Sequence, residues 1–416
     1  MESQKKFHVL IVGGGTCGLA IAHGLQKEGI SYTIFERDSE EDYWNKTRDW
    51  GMLLHWGKEF LMRTLPEDLQ IRFEETLVDP RYNGMEDVPI PHVNGKTGEV
   101  MARIAMPALV RVSRKKLRNW LTSKRDLNMS FGKKLVSVES NGSDITAGFE
   151  DGSTERGHLI VGCDGSRSKV REYLVGSEAT KPFDTGMTII NHAFTGYTAE
   201  QALLMRKYHP VATCFYDPKI DGIFLLTVLD ASNENKPETW SFQIHHAWWG
   251  EPGVKDLSDP EARLQFFKDR SSQICEPFAT AAAALPVDSI LPADAGQQWS
   301  PVSWDNHEGT VTIAGDAAHS MLPNRGQGLN NAMQDAAEVV DAVKSAVSGV
   351  CTLKDAISTY EDGMRPRGAR DVALSLETAQ RLLVSDLKES PMFKVGLQKM
   401  DGQTVVEVPN AVQVVE

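Results

Sequence analysis

Positive charge is short in this chain. Forty-four Lys and Arg stand against 57 Asp and Glu in 416 residues, a formal net charge of −13. A field of that sign repels nucleic-acid phosphates and an anionic lipid surface, so neither is the expected partner. Cysteine is sparse as well. Cys17, Cys163, Cys214, Cys275 and Cys351 are scattered, odd in number and never spaced Cys-x-x-Cys, which argues against a disulfide framework or a zinc site. Apolar runs are short, and none approaches the ~18 residues of a membrane span. The polar start, Met1 to His8, runs into Val9-Leu10-Ile11-Val12, too brief for a signal-peptide core. Asn45-Lys46-Thr47, Asn128-Met129-Ser130 and Asn141-Gly142-Ser143 fit the glycosylation triplet but lack a secretory signal to go with them. The expectation is a cytoplasmic protein with no metal. With 41% hydrophobic and 24% charged residues the composition is that of a folded chain, of roughly two or three domains by length.

The first segment reads strand, glycine turn, helix, strand. Phe7 to Val12 is apolar, Ile21 to Glu28 carries a helix and Tyr32 to Phe35 returns as a strand, a βαβ unit of about thirty residues. From Asp38 to Val110 the periodicity is poor, broken by Pro66, Pro80, Pro89, Pro91 and Pro107, except for helical spacing from Trp56 to Leu65. A helix over Ser113 to Ser123 follows, then turns at Asn141-Gly142 and Asp151-Gly152 and a short buried strand, Leu159-Ile160-Val161. From Pro182 to Trp299 strands carrying Trp, Phe and Thr predict a β-rich layer. Thr310 to Ala314 is again a buried strand, followed by a glycine loop, a helix from Leu329 to Val347 and a helical stretch from Ser358 to Val384. The chain is α/β at both ends and β-rich between, as expected of one module assembled from distant segments.

Three motifs carry chemistry. Gly13-Gly14-Gly15-Thr16-Cys17-Gly18 fits G-x-G-x-x-G between a strand and a helix. Gly13 permits the tight turn, Gly15 the approach of a pyrophosphate and Gly18 close helix–strand packing. The helix N-terminus presents free N–H donors to phosphates. Glu36, eighteen residues past Gly18, can accept both ribose hydroxyls of an adenosine. The second motif is Ala314-Gly315-Asp316 after a strand, followed by Pro323-Asn324-Arg325-Gly326-Gln327-Gly328-Leu329-Asn330. Asp316 can accept from a sugar-alcohol hydroxyl, and the Gly326–Asn330 backbone, opening a helix, suits the negative charge of a reduced flavin. The third is Val161-Gly162-Cys163-Asp164-Gly165, by itself an ordinary turn.

These motifs, in this order and with Glu36-Arg37 closing the second strand, resemble the single-component FAD-dependent aromatic hydroxylases of the para-hydroxybenzoate and salicylate hydroxylase type. Within them the likeness is greatest to fungal secondary-metabolite tailoring enzymes. Tyr360-Glu361 and Met364-Arg365-Pro366-Arg367 match the family's closing helix. The resemblance implies a Rossmann-like, glutathione-reductase-like FAD-binding module over 1–80, 111–181 and 300–355. It also implies a β-rich substrate domain over 81–110 and 182–299, and a C-terminal helical tail over 356–416. It implies FAD held by Gly13, Gly15, Thr16, Cys17, Gly18, Glu36, Arg37, Arg48, Gly51, Arg114, Asp164, Asp316, Gly326, Gly328, Leu329 and Asn330. The segment Arg111-Val112-Ser113-Arg114-Lys115-Lys116-Leu117 is similar to the family's Arg-x-x-Leu helix start, and the resemblance makes Arg114 its flavin-contacting arginine, with Arg111 the weaker choice.

FAD is expected to be bound tightly and without a covalent link. The single G-x-G-x-x-G is taken by FAD and leaves NADPH or NADH no Rossmann site of its own; the resemblance implies that the reductant docks transiently and that O2 then gives a flavin C4a-hydroperoxide. The implied activity is an NAD(P)H-dependent monooxygenase that hydroxylates or epoxidises a small hydrophobic aromatic or alkene-bearing secondary metabolite. An oxidase or dehydrogenase, a Baeyer–Villiger enzyme and a non-catalytic flavoprotein are the alternatives. A halogenase ranks below them, for the Trp-x-Trp-x-Ile-Pro segment is missing.

No side chain declares itself the acid or base. Trp240, Phe242, Ile244, His246 and Trp248 share one face of a strand, with Gln243, His245 and Trp249 on the other, a packed layer or an aromatic pocket wall. His319 reads as structural, bonded within its loop. Trp50 and His55 have only their proximity to Arg48 to recommend them. The catalytic residues are left unassigned, as are monomer against homodimer and NADH against NADPH.

Overall fold

Val9, Leu10 and Ile11 form an uninterrupted aliphatic run, the pattern of a strand covered on both faces. In the computed structural model these three side chains are 0% exposed, each worth about 1.5–3 kcal/mol of burial. The structure describes residues 6–84, 88–104, 110–123, 127–142, 144–217, 222–250, 257–382 and 412–414. Met1 to Lys5, Pro107, Ser143 and the tail residues 383–411 lie outside them.

The strand His8–Val12 is the centre of a five-stranded parallel sheet in the order Val311–Ile313, Leu159–Gly162, His8–Val12, Ser31–Phe35, Met129–Ser130. Helices α1 (Thr16–Lys27), α2 (Gly57–Thr64), α3 (Arg114–Thr122), α4 (Lys169–Ala179), α5 (Gly328–Val347) and α6 (Leu353–Leu382) accompany it. Side chains from this sheet and most of these helices share one core, from Val9 and Leu19 to Val340, Ile357 and Met364. A three-stranded antiparallel sheet, Leu135–Ser140, Ile145–Phe149 and Thr154–Gly157, forms at the two expected turns.

The second layer is an eight-stranded mixed sheet in the order Ala293–Gln298, Phe183–Thr195, Ser241–Trp249, Gly222–Asp230, Ala212–Asp217, Ile90–Asn94, Val100–Ile104, Val412–Val414. One face of it packs Phe242, Ile244 and Trp248 with Phe267 and Phe278 of the short helices Pro260–Ser271 and Phe278–Ala283. The opposite face turns to the parallel-sheet half, for Gln243 accepts from Gly51 N at 2.8 Å. A ribbon of Gly51–Leu53 against Arg111–Ser113 stands at this junction. The tail from 356 departs from the helical expectation at its end. Val412–Val414 pairs antiparallel with Ala102–Ile104, a Val-Gln-Val alternation that suits an edge strand better than a helix. Among the described residues no helix is long and apolar enough to cross a membrane.

Candidate active site

The turn after the first strand is built from close approaches. A Cβ on Gly13 would meet Cys163 O at 2.3 Å, at a φ of +111° that side chains avoid, and a Cβ on Gly18 would meet Gly13 O at 2.1 Å. Gly15 differs, because nothing lies within 4 Å of its Cβ position. Its neighbour Gly14 donates to Glu36 Oε2 at 3.0 Å, while Glu36 Oε1 accepts from Asp38 N at 3.0 Å. Tyr43 donates its hydroxyl to Gly14 O at 2.8 Å. Glu36 is thereby set against the turn, which opens beside Gly15 with Thr16 half-buried as the first residue of α1. Cys17 is buried, its thiol donating to Ala332 O at 3.4 Å. Arg37 is largely exposed, beside Asp38 at 3.9 Å, and is not drawn into this group.

Asp316 is the anomaly of the second motif. Its side chain is exposed, yet burial raises its carboxyl above the ordinary value, with His319 and Arg114 pulling the other way. Solvent reaches this group although protein surrounds it closely enough to disfavour its charge. Its oxygens make no hydrogen bond among the described residues, although one lies 3.9 Å from the Cβ position of Gly328, the first residue of α5. No side chain caps that helix N-terminus. The preceding Gly326 is left-handed, φ 61°, and a Cβ there would meet Leu53 at 2.8 Å. Leu329 is 9% exposed. The Asn330 side chain is fully engaged: Oδ1 accepts from His55 N and Gly57 N at 3.1 and 2.9 Å, and Nδ2 donates to Leu53 O and Gly326 O, both at 3.0 Å. Only its backbone is available to a ligand. Burial holds the His55 ring, which touches Asn330, down at about 4.

The third motif locks onto the second. Asp164 accepts from Ser168 Oγ and Lys169 N, capping α4. Arg171, fully buried, donates to Ala317 O at 3.0 Å and Ser166 O at 2.6 Å and stacks 4.6 Å from the Trp299 ring. Behind Gly315 lies a charge cluster that the sequence did not disclose. Asp335 of α5 accepts from Gly315 N at 2.8 Å, His319 Nε2 at 2.6 Å and Arg367 Nη2 at 3.0 Å. His319 is therefore tied to α5, not to its own loop. In the sequence Gly315, His319 and Arg367 stood in separate motifs, and nothing marked Asp335 as the residue that joins them.

At the junction of the two halves, the guanidiniums of Arg48 and Arg114 lie 5.5 and 4.4 Å from the Trp50 ring. Arg48 pairs with Asp294 on the eight-stranded sheet, and Asp49 accepts from Ser113 Oγ at 2.7 Å and Lys115 N at 2.9 Å, capping α3. A Cβ on Gly51 would meet the Arg111 guanidinium at 2.4 Å, so any side chain there would displace Arg111. Burial lowers Arg114, opposed in part by Asp49 and Asp316. The structure thus joins Glu36 to the Gly13–Gly18 turn through Gly14, sets Gly315 against Cys17 of that turn, and puts Asp316 beside Gly328 and within the electrostatic reach of Arg114. His246 is on the wrong side of its strand for it, stacked on Phe224 at 4.1 Å.

Residues 92–375 match the family model described as FAD binding domain, and residues 11–40 that described as NAD(P)-binding Rossmann-like domain. Among curated proteins the chain is 32% identical over 404 residues to the FAD-dependent monooxygenase phnB of Penicillium herquei, covering 95% of this chain and 96% of the relative. It is likewise 32% identical over 394 residues to the FAD-dependent monooxygenase cctM of Talaromyces islandicus, covering 94% and 97%. Among solved structures, 2,6-dihydroxypyridine-3-hydroxylase from Arthrobacter nicotinovorans superposes with a TM-score of 0.75 at 18% identity, over 97% of this chain and 100% of that one. Klebsiella pneumoniae HpxO, complexed with FAD and uric acid, gives 0.72 at 19%, over 93% and 91%. The two structural likenesses bear on the fold.

Proposed function

Because this chain belongs to the FAD-dependent monooxygenases, we propose that it uses NADPH or NADH and O2 to hydroxylate or epoxidise a hydrophobic aromatic or alkene-bearing secondary metabolite. The observation that carries the reading is Asp316, a carboxylate without a hydrogen-bond partner among the described residues, surrounded by protein yet reached by solvent. Such a group fits a ligand rich in hydroxyls. FAD, when bound, supplies the two-electron redox chemistry and the activation of dioxygen.

The chain's own residues would hold it in a definite order. The open flank of Gly15 and the N-terminus of α1 suit the pyrophosphate. Glu36 suits the adenosine ribose and Asp316 the ribityl hydroxyls, with Arg114, Arg48 and Gly51 toward the flavin. The uncapped N-terminus of α5, with the backbone of Gly326, Gly328, Leu329 and Asn330, offers N–H groups to negative charge on the flavin's pyrimidine. Asp164 stays committed to capping α4 and contributes by shaping the turn. The inward face of the eight-stranded sheet would close over the reacting atoms and exclude water.

Asp316→Asn is expected to leave stability within about 0.5 kcal/mol of wild type. It should weaken FAD binding roughly 10- to 150-fold, the worth of one hydrogen bond to a charged group. Flavin-fluorescence titration of the apoprotein reads the second effect and urea denaturation the first. The activity itself is tested by following NADPH and NADH oxidation with and without phenols, indoles and polyketide-like aromatics. Oxidation stimulated by a compound that emerges one oxygen heavier supports the proposal. Stimulated oxidation in which all the oxygen appears as peroxide contradicts it.

A further inference from the structure

Arg325 ends the short turn Pro323–Arg325, directly before the left-handed Gly326, and is 0% exposed. One carboxylate answers its charge: Nη1 donates to Asp371 Oδ1 of α6 at 3.1 Å. Nε and Nη2 are buried with no hydrogen-bond partner among the described residues. Asp371 is itself shared, for its Oδ2 accepts from Asn331 Nδ2 of α5 at 2.8 Å. The cation is therefore only partly satisfied, in a place where burial works against it. A buried pair of this kind adds little over an apolar pair of similar volume, so stability does not account for it.

The pair is also the end of a longer chain of bonds. Arg367 Nη1 donates to Asn331 Oδ1 at 3.0 Å and its Nη2 to Asp335 Oδ1 at 3.0 Å, while Asp335 Oδ2 accepts from Gly315 N at 2.8 Å. Side chains of α5 and α6 thus join the Gly315 strand end to the turn before Gly326. The turn is fastened on its other side as well. Gln327 Nε2 donates to Arg325 O at 3.1 Å, and Gln327 Oε1 accepts from Trp56 Nε1 at 2.9 Å. The guanidinium charge is felt across this loop, since burial first, and Arg325 with it, lower the His55 ring that touches Asn330.

We propose that the Arg325–Asp371 pair sets the reduction potential of bound FAD, with Arg325, on the Gly326–Asn330 loop, favouring the reduced form and Asp371, on α6, opposing it. The inference rests on the monooxygenase reading, in which the backbone of this loop meets the flavin's pyrimidine. Two electrons and one proton pass from NADPH or NADH to bound FAD, which leaves it one negative charge richer and the nicotinamide oxidised. A cation fixed on the loop lowers the energy of that added charge, and the carboxylate paired with it takes part of the effect back. Both are positioning residues, acting through their field rather than by contact with the reacting atoms.

The midpoint potential is read by anaerobic dithionite titration of the FAD-loaded enzyme against a reference dye. Asp371→Asn keeps the shape and an acceptor for Asn331 but leaves the charge of Arg325 uncompensated. Reduced FAD should then be favoured over oxidised FAD about tenfold more than in wild type, a rise of about 30 mV for a two-electron couple. Arg325→Met should lower the potential, Arg325→Lys should keep it near wild type, and the double variant Arg325→Met/Asp371→Asn should fall between the two single ones. Loosening of the loop would move both single variants the same way, so opposite signs separate charge from structure. Shifts of the same sign, or an unmoved potential in either variant, overturn the assignment and leave the flavin chemistry standing. Should Asp371→Asn not fold, a rise or no change in Arg325→Met overturns it by itself. A wild-type protein that takes up no FAD overturns the functional reading, and this inference with it.

Discussion

Gly15→Val should fold as wild type and lose its FAD. The Gly15 backbone, φ −78° and ψ 178°, is one that a β-branched residue adopts freely, and nothing lies within 4 Å of the new Cβ. Stability is therefore expected to change by no more than about 0.5 kcal/mol. The added methyls would occupy the open flank through which a pyrophosphate reaches the N-terminus of α1, and at least a hundredfold loss of affinity, roughly 3 kcal/mol, is expected. Gly13→Ala is the contrasting case. Its Cβ would strike Cys163 O at 2.3 Å at a forbidden φ, so the variant should lose folded protein rather than cofactor alone. Flavin absorbance per protein and the urea midpoint separate the two. A Gly15→Val protein that retains FAD removes the pyrophosphate from this turn.

The second large effect lies behind the Gly-Asp motif. Asp335→Ala should cost about 3–5 kcal/mol, because it strips the shared carboxylate from buried His319 and Arg367. Glu338, 2.9 Å from the same Nη2 of Arg367, would remain but gives buried His319 no partner. Gly315 N also loses its acceptor, so the strand end carrying Asp316 loosens and FAD affinity should fall with stability.

The same cluster sets a pH dependence. Burial alone would lower His319, but the charge and hydrogen bond of Asp335 outweigh it and hold it above 6.5. Burial would raise Asp335, but His319 and Arg367 hold it below 3.8. The His319 contribution is complete below 6.5 and lost as pH rises through its elevated folded value. The Asp335 contribution is present above 3.8 and lost as pH falls through its depressed one. The pair is thus worth most between those limits. Unfolding free energy should decline as pH is raised beyond neutrality, and His319→Gln should flatten that decline. Denaturant titrations at pH values on either side of neutrality measure it, and identical slopes in the two proteins would show that His319 carries no proton in the fold.

What was legible in the sequence was local. The turn Gly13–Gly18, Glu36 and the Gly-Asp strand end each lie within one βα unit, where spacing dictates geometry. Alternation likewise separated Phe242, Ile244, His246 and Trp248 from Gln243 and His245. Which of those faces meets the parallel-sheet half could not be read. It is set by Gln243 bonding Gly51, 192 residues away. Arg48 pairing with Asp294 spans 246 residues, and Asp335 looks like any charged position on a helix until Gly315 and His319 are brought to it. Asn330 shows the converse. Its place in the glycine loop is as expected, but its side chain spends itself on Leu53, Gly57 and Gly326. Long-range polar pairing leaves no periodic trace, so sequence alone marks the motif and not the bond.

The most direct measurement is turnover under 18O2 with a substrate that stimulates NAD(P)H oxidation. A member of this family working as proposed transfers one labelled oxygen atom to the organic product and releases the other as labelled water. A product labelled by H218O instead, or an unlabelled product with all the isotope in peroxide, would contradict the account.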